Sequence, residues 1–455
     1  MVNPRLDLLT DYPFQRLTAL LQGKPGAEPL VMSIGEPQHR PPAFVAEILA
    51  AESAGWGKYP PMAGSPDFRK AAGGWLMRRF GLAEGTFDPD SQLIPLAGTR
   101  EGLYQIAQLV VPDSMTNAKP GAKPPVVLLP NPFYQVYAGA ALMAGAEPVF
   151  VPATAETGFL PDYAALPDDI LSRTALAYLC TPGNPQGAVA TLAQLKDAVL
   201  LARKWGFVLA VDECYSEIYD SDAAKPAGAL EACRELGGSY DNVVVFHSLS
   251  KRSSAPGLRS GFVAGDPKLI APFARLRAYA GATIPSPILA ASAALWRDED
   301  HVTANRAAYR AKFDVAQGIL GNRMGFYRPQ GGFFLWLNVG DGEQAVAAWR
   351  DGDWDVILMD INMPVLDGRA AVRQIRAAEA LQGRRRTTVI AVTANAMDHQ
   401  VQEYKDLGMD GHIAKPISAV ELFAVLAAIQ TEVERPSPGL RRSEMTSQFL
   451  KSARQ

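Results

Sequence analysis

Six short runs constrain this chain most: Val126–Leu129, Pro148–Val151, Ala175–Leu179, Val208–Val211, Val243–Phe246 and Ser260–Ala264. Each is apolar at nearly every position rather than at alternate ones. A strand with one wet face alternates, whereas a strand apolar throughout has both faces covered. Helix-length stretches such as Leu192–Trp205 separate several of the runs. The pattern predicts an α/β fold with a mainly parallel sheet between two helical layers. Ala-rich helices are expected over Ile288–Ala316, and an exposed loop over Ser114–Pro125, rich in Pro, Gly, Ala and Lys. A second α/β series begins near Gln344. It reads helix Gln344–Trp349, strand Asp355–Met359, helix Gly368–Ala380, strand Thr388–Thr393, helix Val401–Leu407, strand Gly411–Ile413 and helix Ala419–Ile429. Residues 431–455 are polar and charged without an apolar period, and a mobile tail is expected there.

At 455 residues the chain exceeds one compact core, so two or more domains are expected. A net charge of −3 without a basic stripe speaks against a nucleic-acid partner. Cys180, Cys214 and Cys233 are too few and too scattered for a disulfide framework, which points to a reducing compartment. No apolar run reaches the roughly 20 residues that span a bilayer, and Met1–Thr10 lacks the apolar centre of a signal peptide. A cytoplasmic protein without a membrane partner is the expectation.

Four segments carry candidate chemistry. Ser248-Leu249-Ser250-Lys251-Arg252 follows an apolar run and precedes Pro256-Gly257-Leu258-Arg259-Ser260-Gly261. A lysine can bond an aldehyde, while flanking hydroxyls and an arginine suit its phosphate; taken alone, the lysine could equally lie in a surface loop. Asp212-Glu213-Cys214-Tyr215 ends the run Val208–Val211, where open α/β sheets bind ligands. Asp212 there could partner a protonated ring nitrogen or merely cap a helix. Thr181-Pro182-Gly183-Asn184-Pro185-Gln186-Gly187 reads by composition as a turn. Ala97-Gly98-Thr99-Arg100-Glu101-Gly102 opens a helix, which makes it either an anion site or a simple cap. His247 is assigned to packing.

In this order and spacing the segments resemble the fold-type I aminotransferases of the aspartate aminotransferase superfamily, over about Asn3–Val339. Asn3-Pro4-Arg5-Leu6, Ser33-Ile34-Gly35-Glu36-Pro37, Asn131-Pro132-Phe133-Tyr134-Gln135-Val136-Tyr137, Asp212–Tyr219 and Phe246–Ser253 look most like the succinyldiaminopimelate aminotransferases of lysine biosynthesis. The resemblance implies pyridoxal phosphate as cofactor, borne by Lys251, which would also shuttle the substrate proton. Asp212 would pair with the ring nitrogen, Asn184 and Tyr215 with the phenolic oxygen, and Tyr134 would stack on the ring. Gly98, Thr99, Arg100, Ser248, Ser250 and Arg259 would hold the phosphate. Tyr59 would reach the phosphate of the neighbouring subunit, implying a homodimer, and Gly35 would lie by the substrate carboxylate. Gln186 stands where the family usually has threonine, a change that leaves the Asn184 contact. Implied substrates are an amino acid (glutamate) and a keto acid, N-succinyl-2-amino-6-ketopimelate, and no metal.

Asp355–Gly368, Ala391-Val392-Thr393-Ala394 and Ala414-Lys415-Pro416-Ile417 resemble response-regulator receiver domains. That implies Asp360 as phosphoacceptor, Thr393 and Lys415 as phosphoryl contacts, and a histidine kinase or phosphotransfer protein as partner. Both resemblances are partial. The aminotransferase pattern stops near Gly340, before the arginine that clamps the substrate carboxylate. The receiver pattern starts at its second helix, without the acidic pair that binds the metal beside the phosphoacceptor. A phosphoryl group there would be poorly neutralised.

The implied organisation is an arm and small-domain segment (1–45), a cofactor-binding large domain (46–285), a truncated small domain (286–342), a partial flavodoxin-like receiver segment (343–430) and the tail (431–455). Strand Phe333–Leu337, helix Gln344–Trp349 and strand Asp355–Met359 have the lengths of a βαβ unit, so the two strands are expected side by side and parallel. Three functions follow: a transaminase, a phosphorelay protein, or a fusion of impaired activity that still binds the cofactor.

Overall fold

The computed structural model describes residues 2–9, 35–83, 85–112, 123–337, 340–361, 363, 365–393 and 398–414. These fall into two compact units, one ending before residue 339 and one starting there.

The first unit is built on a seven-stranded sheet. Its strands are β1 (Leu93–Leu96), β2 (Val126–Asn131), β3 (Glu147–Pro152), β4 (Thr174–Cys180), β5 (Val208–Asp212), β6 (Val243–Ser248) and β7 (Gly261–Gly265), in the order β1-β7-β6-β5-β4-β2-β3. All neighbouring pairs are parallel except those of β7, which runs antiparallel to β6 and β1. The six apolar runs are β2–β7. β1 was not foreseen because Pro95 interrupts its short sequence. A proline costs a ladder bond in a central strand but is tolerated at an edge, and β1 is an edge.

Alternate residues of each strand enter opposite cores. Val126, Leu128, Leu209, Val211, Val243 and Val245 pack in one cluster, and Val127, Leu129, Val208, Ala210, Val244 and Phe246 in the other. Helices α1 (Pro66–Phe80), α4 (Leu192–Trp205), α5 (Ala229–Glu235) and α7 (Ser286–Arg297) cover the first face. Helices α2 (Thr99–Val110), α3 (Gln135–Ala144) and α6 (Pro267–Ala280) cover the second. The long helix α8 (Asp300–Leu320) follows α7. Local signals set the ends of these helices. α4 starts at a reciprocal Thr191–Gln194 capping box and stops at Gly206, whose φ of 77° only glycine adopts without strain.

His247 lies in an aromatic shell, 5.0 Å from the Trp75 ring and 5.2 Å from Phe262, with Nε2 2.9 Å from Glu213 Oε2. Nearby, Glu217 accepts from Arg79 Nε at 2.7 Å and from Arg306 Nη2 at 3.0 Å.

The second unit has three parallel strands, β8 (Val356–Asp360), β9 (Thr388–Thr393) and β10 (Gly411–Ala414), in the order β10-β9-β8. Helices α9 (Gly342–Asp351), α10 (Gly368–Gln382) and α11 (Asp398–Asp406) accompany them. Val346, Trp349, Met359, Val372, Ile375 and Val389 are among its buried core.

The expected pairing of 333–337 with this sheet is overturned. Residues 333–337 form no strand, and β8 pairs with β9 alone among the described residues. Phe333 and Phe334 instead spend their faces on other rings, Phe333 stacking on Tyr309 and both meeting Tyr215. Leu335 and Trp336 are left partly exposed. Lys415, the helix expected over 419–429, the tail and most of the 114–125 loop lie outside the described residues. No described helix is long and apolar enough to cross a membrane.

Candidate active site

The carboxyl ends of β5 and β6 deliver the central side chains, as the crevice of a parallel sheet should. Asp212 is the last residue of β5, and Lys251 sits in a single helical turn (Leu249–Arg252) directly after β6. The loop carrying Lys251 returns at once into β7, with Ser248 paired to Gly261.

Lys251 Nζ donates to the Gly35 carbonyl at 2.8 Å. It lies 5.1 Å from the Phe333 ring centre and 5.8 Å from that of Tyr215. Burial, the largest influence, holds its pKa below the ordinary lysine value, against the pull of Cys214, Glu36 and Asp212.

Asp212 is buried, with Oδ2 accepting from Tyr137 Oη at 2.7 Å and Oδ1 from the Cys214 N–H at 3.2 Å. Tyr215 is buried beside it, and desolvation pushes its phenol well above the usual range, so it stays a proton donor. Asn184 Nδ2 points to Tyr215 Oη at 3.5 Å.

Opposite lies a polar cradle. Ser248 Oγ meets Ser250 Oγ at 3.0 Å and caps the Ser250 N–H at 3.1 Å. Gly98 has φ of 85°, and a Cβ there would come within 2.0 Å of an Arg259 guanidinium nitrogen. The positive φ favours glycine, and a side chain there would push the Arg259 guanidinium aside. Thr99 opens α2 with Oγ1 3.2 Å from Cys214 Sγ. Arg100 Nε donates to Tyr134 Oη at 2.7 Å.

The structure thus gathers Gly35, Gly98, Thr99, Arg100, Tyr134, Asn184, Asp212, Tyr215, Ser248, Ser250, Lys251 and Arg259 around this crevice. Tyr59 stands outside the cluster and is fully exposed. Asp360 and Thr393 come together in the other unit, at the same ends of β8 and β9. Thr393 Oγ1 there lies 3.0 Å from Tyr404 Oη.

Sequence reasoning missed Tyr137, whose bond to Asp212 joins positions 75 residues apart. It also missed Phe333 and Phe334 as walls of the site. The sequence predicts a strand over Phe333–Leu337, and both rings instead meet Tyr215.

The residues fit a phosphate-bearing pyridine aldehyde. A lysine amine whose pKa is held down by burial sits near the buried Asp212 carboxylate, Asn184 and Tyr215 offer two donors side by side, and the Ser248 and Ser250 hydroxyls share the crevice with Arg259, which packs against the bare Gly98 backbone. The family profile described as "Aminotransferase class I and II" matches residues 27–403. An LL-diaminopimelate aminotransferase of Dehalococcoides mccartyi is 33% identical over 347 residues, 75% of this chain and 85% of that protein. The 4-dedimethylamino-4-oxo-anhydrotetracycline transaminase OxyQ of Streptomyces rimosus is 35% identical over 311 residues, 68% of this chain and 79% of its own. Among solved structures, an aminotransferase from Neisseria meningitidis Z2491 superposes with a TM-score of 0.69 at 40% identity, covering 76% of this chain and 86% of that one.

Proposed function

The chain belongs to the class I and II aminotransferases, and from that premise we propose that it moves an amino group from glutamate to a keto acid with Lys251 at the reacting centre. Pyridoxal phosphate, the cofactor of this family, supplies an electron sink for the charge left when a substrate α-proton departs.

The observation that carries the reading is the half-buried Lys251 amine, 2.8 Å from the Gly35 carbonyl and walled by Tyr215 and Phe333. Its lowered pKa leaves more of it as free amine near neutral pH, the form that can bond a carbonyl or take a proton. Asp212, fixed by Tyr137 and the Cys214 N–H, would present its charge to a ring nitrogen. Asn184 and Tyr215 would donate to the phenolic oxygen, with Tyr134 against the ring. The cradle of Gly98, Thr99, Arg100, Ser248, Ser250 and Arg259 would orient the phosphate. The exposed Tyr59 would complete the same cradle in a second copy, since enzymes of this fold typically work as dimers.

Relatives named LL-diaminopimelate aminotransferase support an amino acid of diaminopimelate chemistry as substrate. Within that class the motifs Phe246–Ser253 and Asp212–Tyr219 favour N-succinyl-2-amino-6-ketopimelate. Absorbance of the protein with pyridoxal phosphate, before and after glutamate, tests the proposal. A band of lysine-bound cofactor that bleaches on glutamate is expected. A band indifferent to glutamate instead supports the impaired reading, in which the missing carboxylate-clamping arginine has cost substrate orientation.

Asp212→Asn keeps the size of the side chain and removes its charge. We expect kcat to fall by about 10²–10³-fold, as for loss of one preorganised electrostatic group, with cofactor uptake retained. Steady-state kinetics with the spectrum as control checks this, and an unchanged kcat would remove Asp212 from the ring-nitrogen role.

Residues 343–430 carry a second proposal, part of a receiver domain with Asp360 as phosphoacceptor. Its support is the placement of Asp360 and Thr393 at one end of adjacent parallel strands. Incubation with a small phosphodonor followed by mass analysis of Asp360 tests it, and no added phosphoryl group would reject it.

A further inference from the structure

Asn305, on α8, spends three of its four hydrogen-bonding positions on the Lys251–Ser254 turn and the fourth on His39. Nδ2 donates to the Lys251 carbonyl at 3.2 Å and to the Arg252 carbonyl at 3.3 Å. Oδ1 accepts from Ser254 Oγ at 3.1 Å and lies 2.7 Å from His39 Nδ1. Backbone carbonyls can only accept, so the amide orientation is determined and His39 Nδ1 must carry the proton.

The contacts continue from there in a closed circuit. The His39 ring lies 4.5 Å from that of Tyr309, one helical turn beyond Asn305. Tyr309 stacks on Phe333 at 5.3 Å and 12°, and Phe333 lies 5.1 Å from Lys251 Nζ. Lys251 Nζ in turn donates to Gly35, four residues before His39. One amide on one helix therefore holds both the backbone that carries the lysine and the segment that receives its ammonium group. A second brace sits alongside. His301, also on α8, meets Ser253 Oγ at 2.8 Å through Nε2 and Asp298 through Nδ1. A cavity of about 270 Å³, lined in part by His39, Ser253, Ser254, His301 and Asn305, opens beside the circuit.

We infer that Asn305 is a positioning residue that locks the Lys251 turn and the Gly35–His39 segment into one register. Its catalytic consequence rests on the transaminase reading; its effect on the lysine does not. A half-buried amide with every position used has little slack, and misplacing a reacting group by about 1 Å costs on the order of 10²-fold in rate. Loss of the amide would let the turn relax toward the cavity and let water reach the amine.

The test uses the full chain carrying Asn305→Ala and, separately, His39→Ala, which leaves α8 intact should the first variant fold poorly. Competitive labelling of the cofactor-free protein with an amine reagent, read by mass analysis of the Lys251 peptide across pH, reports the lysine whatever the enzyme does. The groups that set its midpoint are Cys214, Glu36 and Asp212, which raise it, and Arg259, which lowers it along with burial. In both variants the midpoint should rise toward the ordinary value of 10.5, and kcat should fall about 10²-fold for Asn305→Ala while KM changes less. Labelling curves that superimpose on the parent's in both variants would overturn the inference. Failure of the parent protein to take up pyridoxal phosphate would overturn the transaminase reading instead, leaving the labelling result to decide on Asn305.

Discussion

Lys251→Ala should lower transamination by about 10⁴-fold or more and abolish the absorbance band of lysine-bound pyridoxal phosphate. The expectation follows from where the amine sits. Lys251 is the one described lysine in the crevice, flanked by Tyr215 and Phe333 and anchored to Gly35. Removing it takes away both a nucleophile and a proton carrier. Positioned proton transfer alone contributes about 10²–10⁴-fold, and loss of the covalent attachment adds to that. The phosphate cradle is untouched, so the variant should still bind cofactor by dialysis or fluorescence. A variant that keeps both the band and its turnover would show that another amine does this work.

Glu217→Ala should destabilise the first unit by about 3–5 kcal/mol, the usual cost of breaking a buried ion pair on one side. The side chain of Glu217 is 4% exposed, and its arginine partners Arg79 and Arg306 are 12% and 9% exposed. Each carboxylate oxygen serves one guanidinium. Alanine would take the close carboxylate from both. Arg79 would keep the carbonyls of Ser216 and Pro226, and Arg306 the backbone carbonyl of residue 217 at 3.0 Å and a more distant Asp222 at 3.7 Å, but neither would keep its carboxylate at close range. Arg306 also lies over the Tyr219 ring at 4.1 Å, so its release would disturb the chain just past Tyr215. Glu217→Gln should cost less, since one acceptor remains. Denaturant unfolding at neutral pH decides the matter, and a loss below about 1 kcal/mol would mean that solvent screens the network.

Much of this architecture is legible in the residues. Strands buried on both faces leave continuous apolar runs, so β2–β7 were visible, and the cap at Thr191 with the stop at Gly206 gave α4 its expected ends. What failed had physical reasons. β1 hid behind Pro95, which an edge strand tolerates. The segment 333–337 looks like a strand by composition, but Phe333 stacks on Tyr309 and meets Tyr215 edge-on, and no ladder forms.

In the site, residues bound to strand ends and helix starts could be placed by motif, because those positions are set by local geometry. Tyr137, Asn305 and His39 could not, since their roles depend on contacts between parts of the chain far apart, such as the 266 positions separating His39 from Asn305.

The single reversal of strand direction bears on how this crevice is assembled during folding. Because β7 runs back beside β6, Ser248, Ser250, Lys251 and Arg259 all belong to one connection between neighbouring strands, pinned by Ser248 and Gly261. Closing so short a loop carries a small entropic cost and takes on the order of 10–100 ns in a free chain. The contact from Lys251 to Gly35 spans 216 positions and must wait for most of the sheet. The Ser248–Arg259 part of the anion cradle is thus a low-contact-order element that can form early, whereas its Gly98–Arg100 part and the segment that grips the lysine's amine come from far along the chain and close later.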